Sequence, residues 1–152
     1  MRPSMSALAL AVGTLSVLAP QVARAQGHKV QLDIQVVEAS TQGKHMDPRL
    51  AHMESDFRAK GFAFSSYTLV SAPSQSVAPK GTATVALPNG KSAQLTVVGK
   101  EANGMIKMHL AVRGVGLNVD YSVRSGGRSF FGAGPGQTPG SQVFMVITHT
   151  AK

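Results

Sequence analysis

The sequence contains no cysteine and no tryptophan among its 152 residues. Without a thiol there can be no disulfide framework, no thiolate metal site, no cysteine nucleophile and no lipid-modified cysteine anchor. Acidic residues are scarce, 7 Asp+Glu against 15 Lys+Arg, which leaves the chain formally +8. No apolar run reaches the roughly 20 residues that a helix needs to cross a bilayer core. What is present suits a folded domain: 43 % of the residues are hydrophobic, enough to build a core and too many for a disordered chain. The 16 glycines follow no three-residue period and read as turn content.

The first 25 residues read as an export signal, not as structure. Met1-Arg2-Pro3 is a short positive start, residues 7–18 form an apolar run broken only by Gly13, Thr14 and Ser16, and Ala23-Arg24-Ala25 offers small residues where a signal peptidase cuts. Residues 1–25 are therefore expected to be removed before Gln26, leaving 26–152 as a single β-rich domain in the periplasm or outside the cell. Arg2 and Arg24 leave with the leader, so the +8 becomes +6.

The remainder alternates apolar and polar residues at a period of two. Val30, Leu32, Ile34 and Val36 are separated by Gln31, Asp33 and Gln35, the pattern of a half-buried strand. One helix follows: Asp47 suits an N-cap, Pro48 suits the first helical position, Leu50, Met53 and Phe57 form one stripe, and Gly61 ends it. Strands are then expected at 62–71, 82–87, 92–98, 106–113, 117–124, 129–133 and 142–150, with 72–80 a loop or irregular edge. Asn89-Gly90 predicts a tight hairpin turn, since both residues tolerate positive φ. Val143 to Ile147 is apolar at every position, so that strand belongs in the middle of a sheet or between layers. The fold class is mainly β with one short helix after the first strand: an antiparallel sandwich or open barrel of about eight strands.

Chemical motifs are sparse. If cleavage falls before Gln26, the new terminus Gln26-Gly27-His28 could wrap Cu or Ni in a square plane. His45, His52 and His109 stand beside or near methionines, another copper-like signal. Alternation and helical phase, however, put Met53 and Met108 inside while His52 and His109 point out, so core methionines and solvated histidines explain these residues more simply. There is no G-x-S-x-G elbow, and no two carboxylates have a spacing that places them on one face as acid and base. The glycine-rich stretch 132–140 lacks a G-K-[ST] ending and precedes a strand, which reads as a mobile inter-strand loop and not as a phosphate cradle.

The charge excess points elsewhere. Lys107, His109, Arg113 and Arg124 occupy outward positions on two neighbouring strands, with Arg128 at the next turn, and together they form a candidate basic face. The intervening outward residues include Ala111, Asn118, Asp120 and Ser122 and no aromatic, so a nucleic-acid partner is not expected. The sequence is therefore read as an exported, non-enzymatic binding or assembly module of a bacterial envelope. It would meet a protein, a polysaccharide or an acidic envelope surface through a sheet edge, this face or the Gly/Pro loop. It would use no cofactor. The alternatives are a periplasmic copper or nickel protein using His28, His45, His52 and His109, and an unrecognised hydrolase.

Overall fold

The computed structural model describes residues 28–152; the leader 1–25 and the first two residues of Gln26-Gly27-His28 lie outside the described residues. In chain order the strands are β1 (Val30–Ser40), β2 (His45–Met46), β3 (Ser66–Ser71), β4 (Ser74–Val77), β5 (Thr82–Ala86), β6 (Ser92–Lys100), β7 (Ile106–Arg113), β8 (Leu117–Val123), β9 (Arg128–Pro135) and β10 (Gln142–Ala151). Between β2 and β3 a 3-10 turn over Pro48–Met53 runs into α1 (Glu54–Ala59). The larger sheet has the order β2-β3-β1-β10-β9, with β4 also on β1, and the smaller the order β5-β6-β7-β8. All pairings are antiparallel except β2 with β3. The molecule is a β-sandwich with a helical layer on one side.

Strand β1 is the spine of the larger sheet. It pairs with β10 along nearly its whole length, from Val30 opposite Ala151 to Ala39 opposite Gln142. Its other edge is shared: β4 covers Val30 to Asp33 and β3 covers Val36 to Ser40. The break comes at Pro73, which has no N–H for the ladder but whose carbonyl accepts a hydrogen bond from the Ile34 amide (2.9 Å). The segment 72–80 thus contains a true edge strand. Residues 62–65, expected to open a strand, instead form a connection, and β3 begins at Ser66.

The hairpin between β5 and β6 also differs in detail from its expectation. The turn is a three-residue 3-10 turn, Pro88–Gly90, closed by a hydrogen bond from the Leu87 amide to the Lys91 carbonyl (2.8 Å), with Gly90 at φ +70°. Pro88 presets the first turn residue and Gly90 takes the left-handed one, the pattern of a three-residue loop and not a two-residue one.

Alternation explains the space between the sheets. Leu32 and Ile34 of β1, Leu95 of β6, Met108 and Leu110 of β7, and Met145 and Ile147 of β10 are all buried there. A second cluster lies on the far face of the larger sheet, where Val37, Ala39, Tyr67, Leu69 and Val146 are covered by Leu50, Met53 and Phe57 from the helical segment. Strand β10 contributes to both, with Met145 and Ile147 on one side and Phe144 and Val146 on the other. Its place between β1 and β9 matches the central position read from its sequence.

The helical segment starts as expected and then departs. Asp47 Oδ1 accepts from the Arg49 amide (3.0 Å), and its Oδ2 accepts from Arg49 Nη2 (2.7 Å) and from the Leu69 amide (3.2 Å). These bonds, led by the one from the Arg49 side chain, hold its carboxyl far below the usual carboxylate range. A single buried carboxylate therefore caps the turn and ties it to β3. The first six residues are 3-10 and not α-helical, which leaves Leu50 and Met53, three apart and so eclipsed, both buried on the sheet.

Candidate functional site

The smaller sheet presents its outer face to solvent. Lys107 and Arg113 are exposed on β7, and Arg124 is exposed just past β8. None of the three has an acidic partner among the described residues. Lys107 stands opposite Ser122, which makes Arg124 its diagonal neighbour. Arg113 lies six residues further along β7, roughly 20 Å away at the strand rise. Between the two ends the register aligns Thr82, Thr96, His109 and Asp120 in one row and Thr84, Gln94, Ala111 and Asn118 in the next. Thr82 and Thr96 are hydrogen-bonded through their hydroxyls (2.9 Å), and His109 Nδ1 lies 2.6 Å from Asp120 Oδ1. The face is thus open to solvent, rich in hydroxyls and amides, and cationic at both ends.

Two of the expected members behave differently. His109 is held by Asp120, so its Nδ1 is already engaged and is not free for a partner. Arg128 belongs to the other sheet: it opens β9 and pairs with Asp56 of α1 (2.7 Å). The turn that was expected to carry it alongside Arg124 is where the chain crosses between sheets.

The histidines of the metal alternative are not brought together. His28 precedes β1, His45 lies in β2, His52 is exposed on the 3-10 turn, and His109 faces out from β7. Among the described residues no group of three His, Asp or Glu side chains could hold a metal ion. As expected from phase, Met53 and Met108 are buried beside exposed His52 and half-buried His109.

The fifth histidine, His149, escaped the sequence reading and is fully buried between the sheets. The Gly127 carbonyl, 3.2 Å from Nδ1, can only accept, so Nδ1 carries the proton; Nε2 then accepts from the Tyr121 hydroxyl (2.9 Å). Tyr121 is on β8 and His149 on β10, so this bond joins the two sheets. Burial pushes the imidazole below its ordinary value, against a smaller opposing effect of the Gly127 bond, and burial also pushes the Tyr121 phenol upward. His149 thus has both imidazole nitrogens hydrogen-bonded within the core, one of them to the Tyr121 phenol. Its parity was legible, because Val143, Met145, Ile147 and His149 fall on one face of β10.

The Gly/Pro loop is tied down instead of being free. Glu38 Oε1 accepts from the Ser141 hydroxyl (2.6 Å) and from the Thr138 amide (3.1 Å). Burial raises the Glu38 carboxyl, but these bonds outweigh it and hold it below its ordinary value. A Cβ at Gly136 would stand 2.2 Å from Ser141 Oγ and 2.6 Å from Glu38 Oε1, so any side chain there would displace this contact. A carboxylate already occupies the loop, which argues against a phosphate in it.

A cleft of about 400 Å³ opens on the helical side of the larger sheet. Its floor is aromatic: Phe57 stacks on Tyr67 at 4.5 Å, and Phe62 and Phe64 pack against Phe144 at 4.7 and 5.5 Å. Lys44, His45 and Met46 border one side, and Glu54 and Arg58 of α1 the other. Sequence reasoning treated Phe62 and Phe64 as strand residues and so missed the cleft; their two-residue spacing is the same in a strand and in this connection. Comparison of the chain with protein-family models, curated proteins and solved structures returns no match.

Proposed function

We propose that the protein is an exported, non-enzymatic binding module whose outer sheet face holds an acidic, hydroxyl-bearing polymer, an anionic polysaccharide of the cell envelope. One observation carries this reading: Lys107 and Arg124 at one end of a solvent-exposed sheet face and Arg113 at the other are exposed cations without acidic partners among the described residues. Their spacing of roughly 20 Å along the strand suits an extended chain bearing repeated negative charges. The threonine, serine, glutamine and asparagine side chains between them supply donors and acceptors for sugar hydroxyls. Export is supported by the leader pattern of residues 1–25.

The test compares binding of the purified chain to an anionic and a neutral polysaccharide of equal length. Selective binding that weakens as salt rises from low to physiological strength is expected, since exposed charges are screened over about 10 Å at 0.1 M. The combined charge reversal Lys107→Glu, Arg113→Glu and Arg124→Glu should abolish binding. All three sites are exposed, so the unfolding midpoint should move little. Equal binding to both polymers, or full binding by the triple variant, would reject the reading. Selective capture of an acidic protein with no polysaccharide binding would replace the polymer by a protein partner.

A further inference from the structure

The aromatic cleft lies on the opposite side of the sandwich from the cationic face, and its own chemistry is specific. Phe62 and Phe64 are only half-buried although they pack on the most aromatic part of the molecule. They leave ring surface facing the opening that no described residue covers. The floor is packed: Phe64 meets Tyr67 edge-on at 6.4 Å, and the stacked pair of Phe57 and Tyr67 is buried beneath. The rim is fixed to the floor as well. Strand β2 pairs in parallel with β3, His45 opposite Ser66 and Met46 opposite Tyr67, and the Ser65 hydroxyl donates to the Gly43 carbonyl (2.5 Å). Gly43 takes φ +76°, which turns the chain into that rim.

The two sides of the rim differ in charge. Lys44 and His45 are exposed, and neither has an acidic partner among the described residues. Across the opening, Arg58 is already neutralised by Glu54 through a 2.5 Å ion pair. A ligand entering the cleft would therefore find apolar rings below, net positive charge on the β2 side and a balanced pair on the helix side. With the helix side balanced, Lys44 is the one unpaired rim cation among the described residues that line the cleft, and it matches a single negative charge. The volume of about 400 Å³ falls at the small end of ligand sites, typically about 300–1,000 Å³.

We propose that this cleft binds an aromatic carboxylate carrying one negative charge, its ring against Phe62, Phe64 and Met46 and its carboxylate toward Lys44 and His45. Two sources share this chemistry, a free aromatic acid and the C-terminal residue of a peptide ending in phenylalanine. The aromatic floor supplies apolar contact area, and the charge-assisted contact at the rim orients the ligand.

The probe is N-acetyl-phenylalanine, titrated into the isotope-labelled full-length chain and followed by amide chemical shifts, with N-acetyl-phenylalanine amide as the uncharged control. Shifts are expected at residues 43–46 and 61–67, with the amide control bound about tenfold more weakly, the factor set by loss of one charge-assisted contact of about 1.4 kcal/mol. Lys44→Glu, at an exposed site, should weaken the acid by at least tenfold and leave the amide control unchanged. Phe64→Ser should weaken both. Peptides ending in phenylalanine, with free or amidated termini, separate the sources: tighter binding of the free-terminus peptide than of N-acetyl-phenylalanine identifies a protein terminus, and equal binding identifies a free acid. Equal affinity for acid and amide, shifts centred on β7 and β8, or no saturable shifts at millimolar ligand would each overturn the proposal.

Discussion

The two sheets of this sandwich contain similar strands but differ in what lies outside them. The smaller sheet is buried on one face only, and its outer positions are mainly Thr, Ser, Gln, Asn and cations, with Ala86, Ala111 and the His109–Asp120 pair among them. The larger sheet is buried on both faces around β1 and β10, where the second face carries Val37, Phe144 and Val146 under Leu50, Met53 and Phe57. Their cores differ in kind as well. The inter-sheet space is filled mainly by Val, Leu, Ile and Met, with Tyr121 and Phe131 at its margin, while Phe57, Phe62, Phe64, Tyr67, Phe130 and Phe144 gather on the helical side. Aliphatic side chains on a two-residue period pack well between pleated surfaces. A short helical segment has little surface of its own, and large rings let it bury enough area to be held. The difference teaches that the helical layer is an attachment to the sandwich and the sandwich is not built on the helix.

The largest expected effect tests that attachment. Phe57→Ala removes the ring that joins the helical segment to Tyr67 and Phe130, and truncation of a buried phenylalanine costs about 4 kcal/mol. Hydrogen exchange should show α1 and residues 61–65 losing protection while β5 to β8 keep theirs. Uniform loss across both sheets would show one cooperative unit and break the comparison. Leu110→Ala, in the inter-sheet core and opposite both Leu95 and Val119, should cost about 3 kcal/mol in urea unfolding. Here protection should fall throughout the molecule, because this core is shared by both sheets.

A smaller effect concerns the seam between the sheets. Burial holds the His149 imidazole below its ordinary value of 6.5, so the unfolded chain takes up a proton that the folded chain resists. Its contribution to stability is complete above about pH 6.5 and declines as pH falls toward and through the folded value. Urea midpoints should therefore drop between about pH 7.5 and 5.5. His149→Gln, which keeps a donor and an acceptor, should show a shallower drop; an unchanged slope would remove His149 as the seam's titrating group.

Much of the architecture was legible because it is local. Alternation located β6, β7, β8 and β10 to within a residue or two and the start of β1, which runs four residues past Val36 where the period was read, and Asp47-Pro48 marked the helix start through cap chemistry that needs only adjacent residues. The glycine and asparagine of the β5–β6 turn named a hairpin, though Pro88 made the loop one residue longer. The candidate face was half legible: the outward parity of Lys107, Arg113 and Arg124 could be read directly, whereas the position of Arg128 depends on which sheet β9 joins. The cleft was not legible at all, since it forms where residues 44–46, 54–58 and 62–67 meet.

What the sequence determined by itself is most of the long strands, the face each turns inward, and the absence of any thiol to hold them together. A two-residue period carries that information along the chain. Only the tertiary structure decided that the first long strand pairs with the last, that Arg128 answers Asp56 instead of joining Arg124, and that His149 finds Tyr121 across the core. Those choices belong to pairs far apart in sequence, and they are settled by which apolar faces can be buried together, a quantity no local pattern contains.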